Sequence, residues 1–337
     1  MTICGDRDQL REVEMLTPDP SAPELLPRLR LAGLVLSVAL AAASLVSSAG
    51  GGAFAAEALA FSSPEQAAAA LAAAWRSGGK NEILAIFGSA GDRLVSSGDP
   101  IAEKEARERL ASSYDDAHRL ETEGADKAII VLGKEEWPYP IPLVKRGAGW
   151  RFDVKAGAEQ IIDRRIGRDE LNAIEVCRAY VEAQREYAAK DRLGDGLHEY
   201  ARRVASAGGK RDGLYWPISR GEEESPLGPL VAAAEAEGFG AAAAEGRAPF
   251  HGYYYRVLTR QGKSAPGGAR DYLVKGHLTG GFALVAFPAT YDDSGVMTFV
   301  VNQNGVVFEK NLGPNTVAIA RRMSEYDPDK TWLPAAP

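Results

Sequence analysis

The chain has 337 residues, and its 39 Lys and Arg against 46 Asp and Glu leave a formal charge of −7. That length accommodates about two domains. Apolar and charged fractions of 45% and 25% exclude wholesale disorder and collagen-like repeats. The acidic balance excludes an electrostatic nucleic-acid binder, and two cysteines exclude a disulfide framework or a thiolate zinc cage.

Residues 1–27 are polar and punctuated by proline. Arg28 and Arg30 then precede the uncharged run LAGLVLSVALAAASLV, and the small-residue site Ala53-Phe54-Ala55 follows. A basic, an apolar and a small-residue region in that order form the pattern of a cleaved secretory signal. The run falls short of the roughly 20 apolar residues of a spanning helix. The expectation is therefore a signal peptide over 1–55, cut after Ala55, with the start at Met1 or Met15 and delivery to the periplasm or the exterior. Cys4 belongs to the leader. Cys177 is then alone, at helical spacing with Ile174 and Val181, which reads as a buried thiol and not a nucleophile.

From Ser62 a helix is expected, with Ser62 or Ser63 as cap, Pro64 in the first turn, Leu71 and Trp75 on its apolar side, and Gly78-Gly79 as its stop. A second helix carries Ile83, Leu84 and Phe87. A third has an apolar stripe through Ile101, Ala106, Leu110 and Tyr114. The period then changes: KAIIVLGKEEWPYPIPLVKRGAGWRFD holds β-rich runs, with a turn at Arg146-Gly147-Ala148-Gly149.

Residues 169–190 form a clear amphipathic helix, with Leu171, Ile174, Cys177, Val181 and Gln184 on one side and Tyr180 and Tyr187 beside them. The stretch at about 221–248, rich in Gly, Pro, Glu and Ala, reads as an insertion with a short alanine-rich helix. Strands follow in HGYYYRVLTRQG, DYLVKGHLTGGFALVAFPA, GVMTFVV and GVVFEKNLG, with a hairpin signal at Asn302-Gln303-Asn304-Gly305. Each half is helix followed by antiparallel strand. The fold class is α+β in two domains, 61–165 and 169–333.

Helices followed by strands that end in GWRFD resemble the NTF2-like cone, a curved sheet around helices. The second half resembles the globular heads of type IV pilins and pseudopilins, through Tyr180, Tyr187, Tyr200, Gly252, Tyr253, Tyr255, Phe282, Gly295 and Gly305. Its helix begins at Asp169-Glu170 after a folded domain and has no apolar stem, so the protein is not itself a pilus subunit. The segments EEWPYPIPLVKRGAGWRFD, RRIGRDELNAIEVCRAYVEAQREYA, GKRDGLYWP, SPLGPLV, FHGYYYRVLT and TGGFALVAFPATYDDSGVMTFVVNQNGVVFEKNLG resemble a bacterial envelope family catalogued as domain of unknown function 2950. That resemblance covers about residues 61–333. It implies an envelope location and brings no activity with it.

Several residue sets are candidates for chemistry. In DRLGDG, Asp191, Asp195 and Gly196 match positions 1, 5 and 6 of a calcium loop, and Glu199 falls at position 9. Leu193 and Arg202 stand where two further ligands are needed, so a polar turn ending the helix is the competing reading. His251 and His277 with Asp271 offer the donors of a transition-metal site that only folding could assemble. His118, Asp115, Asp116 and Asp153 are the acid–base candidates of the first domain, although SSYDDAHRLE also reads as a solvated helix end. Ser264 and Ser294 lie in turns outside any G-x-S-x-G pattern. Trp137, Tyr139, Tyr215, Trp216, Tyr253, Tyr254 and Tyr255 are the binding candidates, because tyrosine and tryptophan dominate binding hot spots. Tyr215 and Trp216 are expected to fill a seam between the domains.

These readings lead to an exported, non-catalytic protein that binds an envelope protein or surface component. The competing expectation is a small-ligand-binding protein or hydrolase with a pocket in the first domain or at the domain junction.

Overall fold

The computed structural model describes residues 58–96, 100–218, 221–236 and 248–336. The expected leader, its cut after Ala55 and both candidate starts lie outside these residues, as does part of the expected insertion. The chain is mixed α+β and divides into two compact units, residues 1–161 and 162–337. Among the described residues, no helix is long and apolar enough to cross a membrane.

Unit 1 opens with α1 (Pro64–Ser77). Ser63 caps it by accepting the Gln66 N–H at 3.3 Å, and Gly78 ends it at φ 72°, a left-handed conformation that costs glycine no Cβ clash. Its buried face is mostly alanine, with Leu71 and Trp75, so α4 (Pro100–Asp116) can pack closely against it. Between them lie α2 (Lys80–Phe87) and α3 (Asp92–Val95). Ala106, Leu110 and Tyr114 of α4 are buried as the stripe predicts, but Ile101 is 71% exposed. It sits in the first turn of the helix, before the buried stripe begins.

The sheet of unit 1 runs β1-β2-β4-β5, all antiparallel: β1 (His118–Glu123), β2 (Lys127–Leu132), β4 (Leu143–Arg146) and β5 (Gly149–Phe152). The short β3 (Trp137–Pro138) also pairs with β2. Strand β1 is an edge on which only Leu120 is half-buried, and Arg119, Glu121 and Glu123 charge its exposed positions. Such charges oppose edge-to-edge association. Buried side chains of β2 and β5 join Ile141, Tyr139, Phe87 and Trp75 in one apolar cluster.

Asp153 then starts α5 (Val154–Ala188), accepting the Ala156 N–H at 3.1 Å. The expected helix at 169–190 is thus the later part of a 35-residue helix that begins fifteen residues earlier. The buried positions of its earlier part include Arg165, which is 5% exposed, so hydrophobic spacing alone misses it. Leu171 is 47% exposed, off the face that buries Ala173, Cys177, Tyr180 and Gln184.

Unit 2 carries an antiparallel sheet in the order β14-β13-β12-β11-β6. Its strands are β6 (Tyr253–Leu258), β11 (Ala283–Pro288), β12 (Met297–Asn302), β13 (Phe308–Asn311) and β14 (Leu333–Pro334). Every residue of β11 is buried, so both faces of this strand are covered. Tyr180 of α5 donates its hydroxyl to the Ala283 carbonyl at 3.2 Å, and α7 (Thr316–Arg322) packs on β11 as well. The Asn302 to Gly305 hairpin joins β12 to β13, closed by the Gly305 N–H on the Asn302 carbonyl at 2.9 Å. Shorter pairs flank the sheet: β7 (Arg260–Gln261) with β8 (Arg270–Asp271), and β9 (Leu273–Val274) with β10 (His277–Leu278). The alanine-rich helix expected near 221–248 is α6 (Gly228–Ala236).

Candidate functional site

Most aromatic candidates are packing residues. Tyr139 is 2% exposed, edge-on to Trp75 at 5.4 Å, and burial drives its phenol far above the usual tyrosine range. Trp137 is half-buried beside it. Trp216 lies in the apolar core of unit 2, with the Arg192 and Arg211 guanidinium groups each 5.4 Å from its ring and its indole N–H on the Glu223 carbonyl at 3.3 Å. Tyr215 packs half-buried against the same core. The expected role of these two as filler between domains gives way to a role inside unit 2, because GLYWP lies in an extended loop that pairs with 203–206 and points its rings inward. Tyr253 is fully buried and donates to the Met297 carbonyl at 2.9 Å, and Tyr255 donates to Phe250 at 3.4 Å. Tyr254 is half-buried on Phe287, with Arg321 over its ring at 5.8 Å.

The acid–base and nucleophile candidates have structural partners. His118 opens β1 and does not extend α4 as expected: its Nδ1 lies 2.8 Å from the Tyr114 carbonyl, and its ring stacks on Tyr114 at 3.7 Å. Asp115 pairs with Arg76, which holds its carboxyl below the usual range, and Asp116 is exposed at the helix end. Asp153 caps α5 and takes Arg146 Nη2 at 3.1 Å. Ser294 Oγ accepts the Thr290 N–H and lies 2.9 Å from the Gly252 carbonyl, closing a turn. The Ser264 backbone N–H binds Asp327. Cys177 is wholly buried, and desolvation pushes its thiol up to about 12. Cys177 is therefore expected to stay unmodified by a thiol reagent in the native protein and to react on unfolding. Rapid stoichiometric labelling without denaturant would contradict its burial.

The calcium-loop candidates separate. Asp191 turns both oxygens inward on its own loop: Oδ1 accepts the Gly194 and Asp195 N–H groups at 2.7 and 3.2 Å, and Oδ2 accepts Gly196 at 2.8 Å. These bonds favour the ionised form and hold its pKa low. Its carboxylate therefore builds a turn, with Gly194 and Gly196 at φ 73° and 81°. Asp195 and Glu199 instead meet His277: the imidazole Nδ1 is 3.8 Å from Asp195 Oδ2 and 3.4 Å from Glu199 Oε2. The other two members expected with His277 lie elsewhere. His251 Nδ1 faces Asn172 Nδ2 at 3.1 Å, and Asp271 Oδ1 accepts the Leu273 N–H at 3.0 Å.

A cleft that the sequence did not reveal lies in unit 2, where β6 and β7 meet the end of α7. Its volume is about 530 Å3, and Arg256, Arg260, Arg321 and Arg322 line it together with Asp271. Arg256 forms the floor. Its Nη2 donates to the Ala320 carbonyl at 2.7 Å and to the Met323 carbonyl, capping the C-terminus of α7, while its Nε has no partner. Arg260, Arg321 and Arg322 are exposed. The available signals were the arginines four apart in RVLTR and the pair at Arg321-Arg322, but a net charge of −7 hides a local positive site. Unit 1, by contrast, holds a cavity of about 20 Å3 beside Trp75 and Tyr139. That is about enough space for one water.

Neither a curated protein nor a solved structure matches the chain. The family described as protein of unknown function (DUF2950) matches residues 58–334, which take in unit 1 from residue 58 onward and nearly all of unit 2. The chain belongs to that family.

Proposed function

We propose that this is an exported, non-catalytic envelope protein that binds an acidic partner or surface component in the arginine-lined cleft of unit 2. One observation carries the reading: Arg256, Arg260, Arg321 and Arg322 line one cleft, with a single carboxylate, Asp271, among its lining residues. Concave walls of low dielectric focus such a field, and the planar guanidinium fork matches carboxylate and phosphate groups in pairs. The chain as a whole is acidic, so a basic cleft stands out as the place where an acidic partner is attracted. Export rests on the leader pattern at 28–55. The helix-then-sheet order of each unit supports the NTF2-like and pilin-head-like readings, and His118, Ser264 and Ser294 hold turns and a helix end. The cavity beside Trp75 and Tyr139 is too small for a small-molecule ligand, since such ligands occupy roughly 300–1,000 Å3.

The test is titration of the folded protein with a glutamate-rich peptide and, separately, with tripolyphosphate, for the parent chain and the double variant Arg321→Glu, Arg322→Glu. Binding by the parent chain should fall at least about tenfold in the variant, with unchanged melting and with stronger binding at low salt. The arm that binds tells carboxylate from phosphate chemistry. No binding in either arm, or equal binding by the variant, would refute the proposal.

A further inference from the structure

We infer that Asp195, Glu199 and His277 form a site for a divalent transition metal of the zinc type, separate from the arginine cleft. The three residues offer one imidazole nitrogen and two carboxylate oxygens, all within 4.8 Å of one another. The His277 Nδ1 is shielded from solvent and makes no hydrogen bond, an expensive condition for a polar atom. Its distances of 3.4 and 3.8 Å to the two carboxylates are too long for hydrogen bonds. They do suit donors that share one ion: ligands about 2.1 Å from a tetrahedral zinc lie roughly 3.4 Å apart.

The surrounding chain fixes each donor. The Asp191 turn presents Asp195, whose Oδ1 accepts the Leu197 N–H at 3.0 Å, leaving Oδ2 toward His277. Glu199 is 4% exposed and takes the Leu278 N–H at 3.1 Å, while the Tyr200 N–H binds the Leu278 carbonyl at 2.9 Å. Both bonds tie the loop to Leu278 of β10, the residue that follows His277. Arg202 lies 3.6 Å from Glu199, leaving about one net negative charge to meet a divalent cation. The imidazole favours zinc, nickel or copper over calcium, and three protein ligands leave a coordination position open.

Zinc chloride titrated calorimetrically into tag-free protein tests the site, together with metal content after dialysis. The expected result is one zinc per chain, affinity reduced at least about tenfold in His277→Gln and in Asp195→Asn, and a melting temperature that zinc raises only in the parent chain. Both substitutions are at exposed or half-exposed side chains, and circular dichroism verifies that the variants fold. Failure of the parent chain to take up zinc, uptake that both variants retain, or selective binding of calcium in its place would each overturn the assignment.

Discussion

Replacing Tyr253 with alanine should cost unit 2 about 3–5 kcal/mol, the range for emptying a large aromatic site in a core. Tyr253 is fully buried, its ring centroid 5.8 Å from that of Phe299, and its hydroxyl reaches the Met297 carbonyl at 2.9 Å. The backbone has closed around it: a Cβ added at Gly295 would come within 2.2 Å of the Tyr253 hydroxyl oxygen. So little slack means that the cavity left by alanine cannot collapse without moving the β11–β12 connection. Tyr253→Phe keeps the ring and loses one hydrogen bond, which should cost about 1 kcal/mol. Urea denaturation followed by tyrosine and tryptophan fluorescence gives both values. If alanine were nearly neutral, Tyr253 would be a surface contact, as its sequence context allowed, and not a core residue.

The second large effect is expected at Gln184, which is wholly buried near the C-terminal end of α5. Its side chain replaces a missing backbone partner: Nε2 donates to the Ala201 carbonyl at 2.8 Å and Oε1 accepts the Ala201 N–H at 2.8 Å. A third bond runs from Nε2 to the Tyr180 hydroxyl at 2.9 Å. Gln184→Leu preserves volume but strands both backbone groups of Ala201 in an apolar site, at about 1–3 kcal/mol each, or roughly 2–6 kcal/mol in all. The melting temperature should drop by several degrees, and the Ala201 amide should lose its protection from hydrogen exchange. Unchanged exchange at Ala201 would show that the loop finds another partner.

Much of the fold was legible because the local signals had local causes. Ser63, Pro64 and Gly78 bound α1 through cap geometry, which depends on a few neighbouring residues. The Asn302 to Gly305 hairpin is similar, since Gly305 supplies a positive φ of 78°. The start of α5 was hidden for the opposite reason. Arg165 occupies a buried position there and is neutralised by Asp293, 128 residues away. A charge pair of that separation cannot be read from periodicity. The same holds for His277, which meets Asp195 and Glu199 only after β10 folds back to the loop. Aromatic rings misled in the other direction, because bulk and amphipathic character suit a core and a contact surface equally.

The hydroxyl bond from Tyr180 to Ala283 joins positions 103 residues apart. At a ribosomal pace of roughly 5–20 residues per second, the inner stripe of α5 waits about 5–20 s for the strand that will cover it. Throughout that interval Ile174, Cys177, Tyr180 and Val181 form an uncovered greasy ridge on the nascent chain. A holding chaperone should engage this ridge early in synthesis and let go once β11 emerges.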